Sequence, residues 1–131
     1  MESRLRGKIV KYLNQHGFAF AVENTAHPGT PDISYLLNRT QGWIEVKEED
    51  EKLRPTQVIW IKDYLKSGGL DAWILCRESG RWYLLHAADY EHFNGKRSKH
   101  PLEDASIWNS DDLEGLEECL SSVMGTKYGR R

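Results

Sequence analysis

The sequence predicts an α/β fold in which a mixed β-sheet is flanked by helices. Two segments, residues 2–16 and 55–67, repeat apolar side chains at the 3.6-residue period of a helix. Short apolar and aromatic runs, bounded by turn-forming residues, lie between and after these segments. A chain of 131 residues can bury one hydrophobic core but is short for two ordinary ones. We therefore expect a single domain over residues 1–131.

The first half of the chain begins with a helix, from Glu2 to about His16, that Gly17 ends. Its apolar stripe consists of Leu5, Ile9, Tyr12 and Leu13. The run FAFAV at 18–22 predicts a short strand, and the turn-rich ENTAHPGTP at 23–31 leads to Asp32. DISYLL and WIEVK flank the polar NRTQG, which predicts a β-hairpin over residues 32–47.

The second half begins with the charged loop EEDEKLR, after which Pro55 suits the first turn of a helix. That helix keeps its apolar period until two glycines stop it. DAWILC and RWYLLHA, separated by RESG, predict a second pair of strands. The predicted order is thus α-β-β-β-α-β-β.

A C-terminal extension, residues 87–131, follows a motif-bearing core at about 2–86. We assign little structure to residues 89–110. Ser110 is a candidate cap for a last helix at about 111–124. Its apolar stripe consists of Leu113, Leu116, Leu120, Val123 and Met124.

Composition limits the classes of function. A formal net charge of −2 means that any nucleic-acid binding must come from local basic patches. The two cysteines lack the spacing of a zinc site, and no apolar run approaches the length of a membrane span. We expect a reduced, cytoplasmic protein that does not enter a membrane. The candidate DNA-binding residues are Arg4, Lys8 and Lys11 on the first helix and Lys96, Arg97 and Lys99 in the extension.

One strand carries opposite charges on a single face. Side chains alternate along a strand, so Trp43, Glu45 and Lys47 share one face. Asp32 begins the partner strand, and two carboxylates on neighbouring strands can bracket one divalent cation. Oxygen ligands suit Mg²⁺ or Mn²⁺. A structural ion pair between the strands is the alternative interpretation.

The residues Pro31-Asp32, then Glu45-Val46-Lys47, resemble the PD-(D/E)xK nuclease signature. The pattern of a glycine before PD, a hairpin, EVK and a Pro-x-Gln helix is similar to the VRR-Nuc family, and also to archaeal Holliday-junction resolvases. These positions are filled by Gly29, Pro31, Asp32, Glu45, Lys47, Pro55 and Gln57.

The resemblance implies a restriction-endonuclease-like fold and a metal-dependent endonuclease that cuts DNA, with branched DNA such as a Holliday junction as the expected substrate. It implies four catalytic residues: Asp32, Glu45, Lys47 and Gln57. Asp32, Glu45 and the backbone carbonyl of Val46 would bind Mg²⁺ or Mn²⁺, and Glu2 is a further candidate ligand.

Two other functions stay open at this point. The chain could be a nuclease-fold module that binds DNA or a protein without cutting. It could also be a small interaction protein whose C-terminal leucine stripe docks a partner helix. For the nuclease we expect a homodimer, because two strands need two sites and twofold pairing is the commonest assembly. The dimer surface would be the stripe from Leu113 to Met124, or strand aromatics.

Overall fold

The fold is described by a computed structural model covering residues 2–23, 27–93 and 102–121, with side chains described from Arg4 onward. The helices are α1 (Glu2–Leu13), α2 (Pro55–Lys66), α3 (Leu102–Ala105) and α4 (Leu116–Leu120), and a 3₁₀ segment spans Ala87–Phe93. The strands are β1 (Phe18–Ala21), β2 (Ile33–Leu37), β3 (Thr40–Glu48), β4 (Ala72–Glu78), β5 (Arg81–His86) and β6 (Trp108–Ser110).

The six strands form one mixed sheet in the order β1-β2-β3-β4-β5-β6. Strands β3 and β4 are parallel, and every other neighbouring pair is antiparallel. A parallel pair needs a crossover connection, which α2 supplies. The predicted α/β class and the mixed sheet flanked by helices are confirmed.

Two tight turns close the predicted hairpins. Asn38 and Arg39 have φ of 49° and 69° between β2 and β3, and Ser79 and Gly80 have φ of 52° and 76° between β4 and β5. Positive φ at both central residues is the geometry of the two-residue hairpin turn that matches strand twist. Residues 40–42, which we expected in the loop, therefore lie in β3.

Both faces of the sheet are covered. On one face Ile44 and Val46 belong to an apolar cluster with residues of α1 and α4. On the other face Ile74 and Cys76 pack with residues of α2 and the 3₁₀ segment. Since side chains alternate along β3, Glu45 and Lys47 lie on the α2 face of the sheet.

The C-terminal prediction is wrong in its bounds. Residues 111–115 form turns, α4 occupies only Leu116–Leu120, and positions 122–124 lie outside the described residues. The stretch assigned little structure contains α3 and the edge strand β6. Leu113, Leu116 and Leu120 are 6%, 0% and 0% exposed because they pack into the core. These three leucines therefore do not form the dimer surface that we expected of their stripe.

Candidate active site

The β2–β3 hairpin brings Asp32 near Glu45. The paired register of the two strands ends at Ile33 and Ile44, and Asp32 and Glu45 are the residues next to that pair on either side. The charge of Asp32 acts on the Glu45 carboxyl group, which shows that the two are close. Oδ2 of Asp32 also accepts a 2.9 Å hydrogen bond from the backbone N–H of Val46. The turn at 38–39 and this hydrogen bond fix the position of Asp32.

Glu45, Lys47 and Gln57 form a connected cluster between β3 and α2. Nε2 of Gln57 donates to Oε2 of Glu45 at 2.6 Å, and Nζ of Lys47 donates to Oε1 of Gln57 at 3.1 Å. Nζ of Lys47 lies 3.4 Å from Oε2 of Glu45. Oε1 of Gln57 also accepts from the backbone N–H of Arg54, the residue before α2, at 2.8 Å. One amide therefore links the start of α2 to both charged groups of β3.

The cluster is buried, which distinguishes it from an ordinary surface ion pair. Glu45, Lys47 and Gln57 are 4%, 3% and 3% exposed. A buried ion pair returns little net stability unless additional hydrogen bonds satisfy its remaining polar atoms. Among the described residues, Oε1 of Glu45 is buried without a hydrogen-bond partner. One carboxylate oxygen therefore lacks the partner that burial requires.

The pKa values of both carboxyl groups are raised. Burial and, to a lesser degree, the charge of Asp32 raise the pKa of Glu45 to about 8, against the opposing effects of Lys47 and Arg54. Burial also raises the pKa of Asp32, against the Val46 N–H and the charges of Lys47, Arg6 and Arg54. Bringing two carboxylates together in a buried site is costly unless a proton or a cation neutralises them.

The residues present fit a divalent cation. The unpartnered carboxylate oxygen of Glu45 and the nearby carboxylate of Asp32 can supply oxygen ligands, and Mg²⁺ needs only one or two carboxylates when water and phosphate complete its shell. Within the described part of the chain, no group of three His, Cys, Asp or Glu side chains could hold a metal. The side chain of Glu2 lies outside that part, and the Val46 carbonyl as a ligand stays a prediction.

A close backbone contact holds the loop before Asp32 against α2. Gly29 has φ of 86°, and a Cβ atom there would lie 2.1 Å from the carbonyl oxygen of Thr56. Only glycine fits this approach. The glycine before the PD pair therefore fixes the distance between the Asp32 loop and the helix that carries Gln57.

The predicted basic residues do not gather at these carboxylates. Arg4, Lys8 and Lys11 are exposed on α1, which covers the opposite face of the sheet. Lys8 and Lys11 line a cleft of about 450 Å³ that also contains acidic residues. The predicted residues Lys96, Arg97 and Lys99 lie outside the described residues.

Sequence reasoning missed two arginines. The charges of Arg6 and Arg54 lower the pKa of Asp32, so both guanidinium groups act on the site. The position of Arg54 directly before Pro55, at the start of the helix that carries Gln57, could have indicated that it lies near the site. Arg6 lies between residues of the apolar stripe of α1 and gave no separate signal.

No protein-family model matches the chain, and no curated protein matches it. Among solved structures, the chain is similar to Hjc of Archaeoglobus fulgidus, described as a Holliday junction resolvase from an archaeal hyperthermophile. The TM-score is 0.53 and the sequence identity 22%, over 66% of this chain and 77% of that chain. The likeness confirms the fold. Membership of the VRR-Nuc family stays a prediction.

Proposed function

We propose that the chain is a divalent-metal-dependent endonuclease that hydrolyses phosphodiester bonds in branched DNA. The observation that carries the proposal is Oε1 of Glu45, which is buried without a hydrogen-bond partner among the described residues. The same carboxylate lies near Asp32, and its Oε2 lies 3.4 Å from Nζ of Lys47. A purely structural ion pair would leave that oxygen without compensation for its burial. The likeness of the fold to a Holliday junction resolvase supports the substrate class, by analogy.

Asp32 and Glu45 would hold the cation, with the Val46 carbonyl as a further ligand and Glu2 as another candidate. Mg²⁺ and Mn²⁺ suit this set because its atoms are all oxygens. When bound, the cation would supply Lewis-acid polarisation of a phosphate oxygen and a lowered pKa for bound water. It would also add positive charge between the buried carboxylate of Glu45 and the half-buried carboxylate of Asp32.

Lys47 and Gln57 would have different roles. The buried side chain of Lys47 has a fixed direction, because its Nζ donates a hydrogen bond to Oε1 of Gln57. A cation held in this way can stabilise the charge that develops on a phosphate during hydrolysis, without reorganising. The side-chain amide of Gln57 makes hydrogen bonds with Glu45, Lys47 and the Arg54 N–H. We therefore propose that Gln57 positions these groups.

Two arginines from elements on opposite faces of the sheet would help the site to receive DNA. Arg6 and Arg54 both act on Asp32 and would neutralise phosphates next to the scissile one. Arg4, Lys8 and Lys11 on α1, and Lys96, Arg97 and Lys99, would contact more distant parts of a branched substrate. Such contacts neutralise phosphates and carry no base specificity, which fits recognition of DNA shape.

The homodimer would use the exposed surface of β1 and β2. Phe18, Phe20 and Leu36 are 58%, 46% and 47% exposed, and the two phenylalanine rings lie 5.6 Å apart. This surface includes β1, which is an edge strand of the sheet. Exposed apolar surface at a sheet edge favours pairing with another chain. Light scattering should give a dimer mass for the wild type and a monomer mass for Phe18→Asp; a monomeric wild type, with and without DNA, would contradict the dimer.

The test of function is a cleavage assay on labelled four-way junction, flap, duplex and single-stranded DNA, with Mg²⁺ or Mn²⁺ and with chelator. We expect metal-dependent cutting of the branched substrates and no cutting by Glu45→Ala. Glu103→Gln, which removes a carboxylate from an exposed residue of α3, is the matched control and should cut like the wild type. Binding of branched DNA without any cutting would instead support a non-cleaving module.

A further inference from the structure

A second cleft, which we call the aromatic cleft, adjoins the candidate active site on the α2 face of the sheet. It has a volume of about 400 Å³. The described residues that line it are His27, Thr30, Trp43, Trp60, Asp63, Tyr64 and Ser67. Neither the carboxylate pair nor the basic residues account for it.

The aromatic rings of the cleft are held in a fixed arrangement. Trp60 stacks on Tyr64 with ring centroids 5.0 Å apart and an interplanar angle of 13°. Trp43 meets Trp60 edge-on, at 5.4 Å and 67°. Gly69 packs closely against the ring of Tyr64, because a Cβ atom at that position would clash with the ring. The rings are therefore positioned before any ligand binds, which reduces the entropy lost on binding.

Two residues of the cleft are close along the chain to residues of the carboxylate site. Trp43 precedes Glu45 by two residues on the same face of β3, which separates their Cα atoms by roughly 7 Å. Trp60 follows Gln57 by one helical turn on α2. A DNA strand whose phosphate lies at Glu45 would therefore bring a neighbouring nucleotide to Trp43.

The chemistry of the lining favours a base over a phosphate. Asp63 is exposed at the rim, and the described lining residues include no lysine or arginine. An anionic phosphate would be repelled by the Asp63 carboxylate. An unpaired base, by contrast, can stack on an aromatic ring and donate its amino group to a carboxylate, as cytosine N4 does.

We propose that the aromatic cleft binds an unpaired nucleobase of the strand that is cut, one or two nucleotides from the scissile phosphate. The inference rests on the proposed nuclease function and adds a reason for its selectivity. Bases within a duplex have both faces covered by their neighbours, so only a branch point, a flap or an extruded base offers a free face. Trp43 is the residue expected to make the stacking contact, because it is the partly exposed aromatic residue nearest to Glu45 along the chain.

The test separates base binding from cutting. A flap DNA carries the fluorescent base 2-aminopurine at an unpaired position next to the branch, and a second flap carries it inside a duplex arm. With Ca²⁺ in place of Mg²⁺, the wild type should quench the unpaired probe saturably and leave the duplex probe unchanged. Trp43→Leu should weaken binding of the first flap by about five- to 150-fold, and Trp43→Phe should retain most of the affinity.

Two further variants keep the result interpretable if Trp43→Leu unfolds. Ser67→Leu fills the rim from an exposed position at the end of α2 and should also reduce quenching. Ile59→Ala removes an apolar side chain that is 57% exposed on the same helix and should behave like the wild type. Circular dichroism and thermal melting confirm the fold of each variant.

The outcomes distinguish the two proposals. Cleavage of branched DNA by a wild type that does not quench the unpaired probe would overturn base binding and leave the nuclease function standing. Equal quenching by the wild type and a folded Trp43→Leu or Ser67→Leu would also overturn it. Quenching that depends on Trp43, without cutting of any DNA in Mg²⁺ or Mn²⁺, would support base binding and reject the nuclease.

Discussion

Metal binding at Glu45 should depend on pH, because burial raises the pKa of its carboxyl group. With a pKa of about 8, the Glu45 side chain carries a proton at neutral pH in the absence of metal. A cation binds the carboxylate only after that proton leaves, so binding is coupled to proton release. Lowering the pH below about 8 should therefore weaken binding.

The expected magnitude follows from the titration of one group. A site with a pKa of about 8 is roughly half protonated at pH 8, about 90% at pH 7 and about 99% at pH 6. The apparent affinity should therefore fall by about 50-fold between pH 8 and pH 6, with roughly 0.9 proton released per cation at pH 7. Because burial raises the pKa of Asp32 as well, protonation of Asp32 would make the dependence steeper at the acidic end.

Isothermal titration calorimetry with Mn²⁺ measures both quantities. Repeating the titration in two buffers of different ionisation enthalpy gives the number of protons released. Glu103→Gln is the matched control and should follow the wild-type curve, whereas Glu45→Ala should show no saturable binding. An affinity that stays constant from pH 6 to pH 8, without proton release, would show that no proton on Glu45 competes with the metal.

Four further predictions concern activity and stability. Glu45→Ala should lose metal binding and cleavage, whereas Lys47→Ala should still bind Mn²⁺ and lose roughly two to three orders of magnitude in single-turnover rate; wild-type cleavage by Lys47→Ala would remove the lysine from the mechanism. Gln57→Ala should cost about 10- to 100-fold in metal affinity or rate, measured by calorimetry and cleavage, and no change in either would reject its positioning role. Gly29→Ala should lower the free energy of unfolding by roughly 1–3 kcal/mol, because Gly29 has a positive φ and its Cβ position is blocked. Gly7→Ala, with no atom within 4 Å of its Cβ position, should not lower it. Urea unfolding of both variants measures the difference. Without metal, stability should fall as pH rises from 4.5 to about 8, because the unfolded chain ionises Glu45 first and the folded chain keeps the proton; a rise over that window would contradict the raised pKa.

Local patterns were enough to predict the part of the fold that carries the site. Alternation along WIEVK put Glu45 and Lys47 on one face, and turn-forming residues predicted both hairpins. These features depend on contacts close in sequence, so local chemistry determines them. The burial of Glu45 and Lys47 was not visible, since it depends on α2 packing across β3. An exposed ion pair was therefore a reasonable alternative from sequence alone.

The C-terminal part could not be predicted because its structure depends on distant partners. Strand β6 has three residues and pairs with β5 more than twenty residues away. Leu116 and Leu120 were correctly recognised as an apolar stripe, but they complete the core over α1 and do not face a partner. Arg54 lacks the side chain of a usual N-cap, but Gln57, the third residue of α2, accepts from the Arg54 N–H and so supplies one half of a capping box.

The turn at Asn38 and Arg39 brings together two residues of the site that are close in sequence, whereas the rest of the site depends on segments further along the chain. Asp32 and Glu45 belong to one hairpin, and an isolated hairpin can form in about 1–10 μs. Gln57 and the environment that buries Lys47 depend on α2 and on the parallel pairing of β3 with β4, which come later because they close a longer loop. The nascent chain can thus bring its two acidic side chains together before the sheet is complete. If Mg²⁺ binds this pair as proposed, it would favour the native hairpin register during folding, so the cation would assist the formation of the site as well as its chemistry.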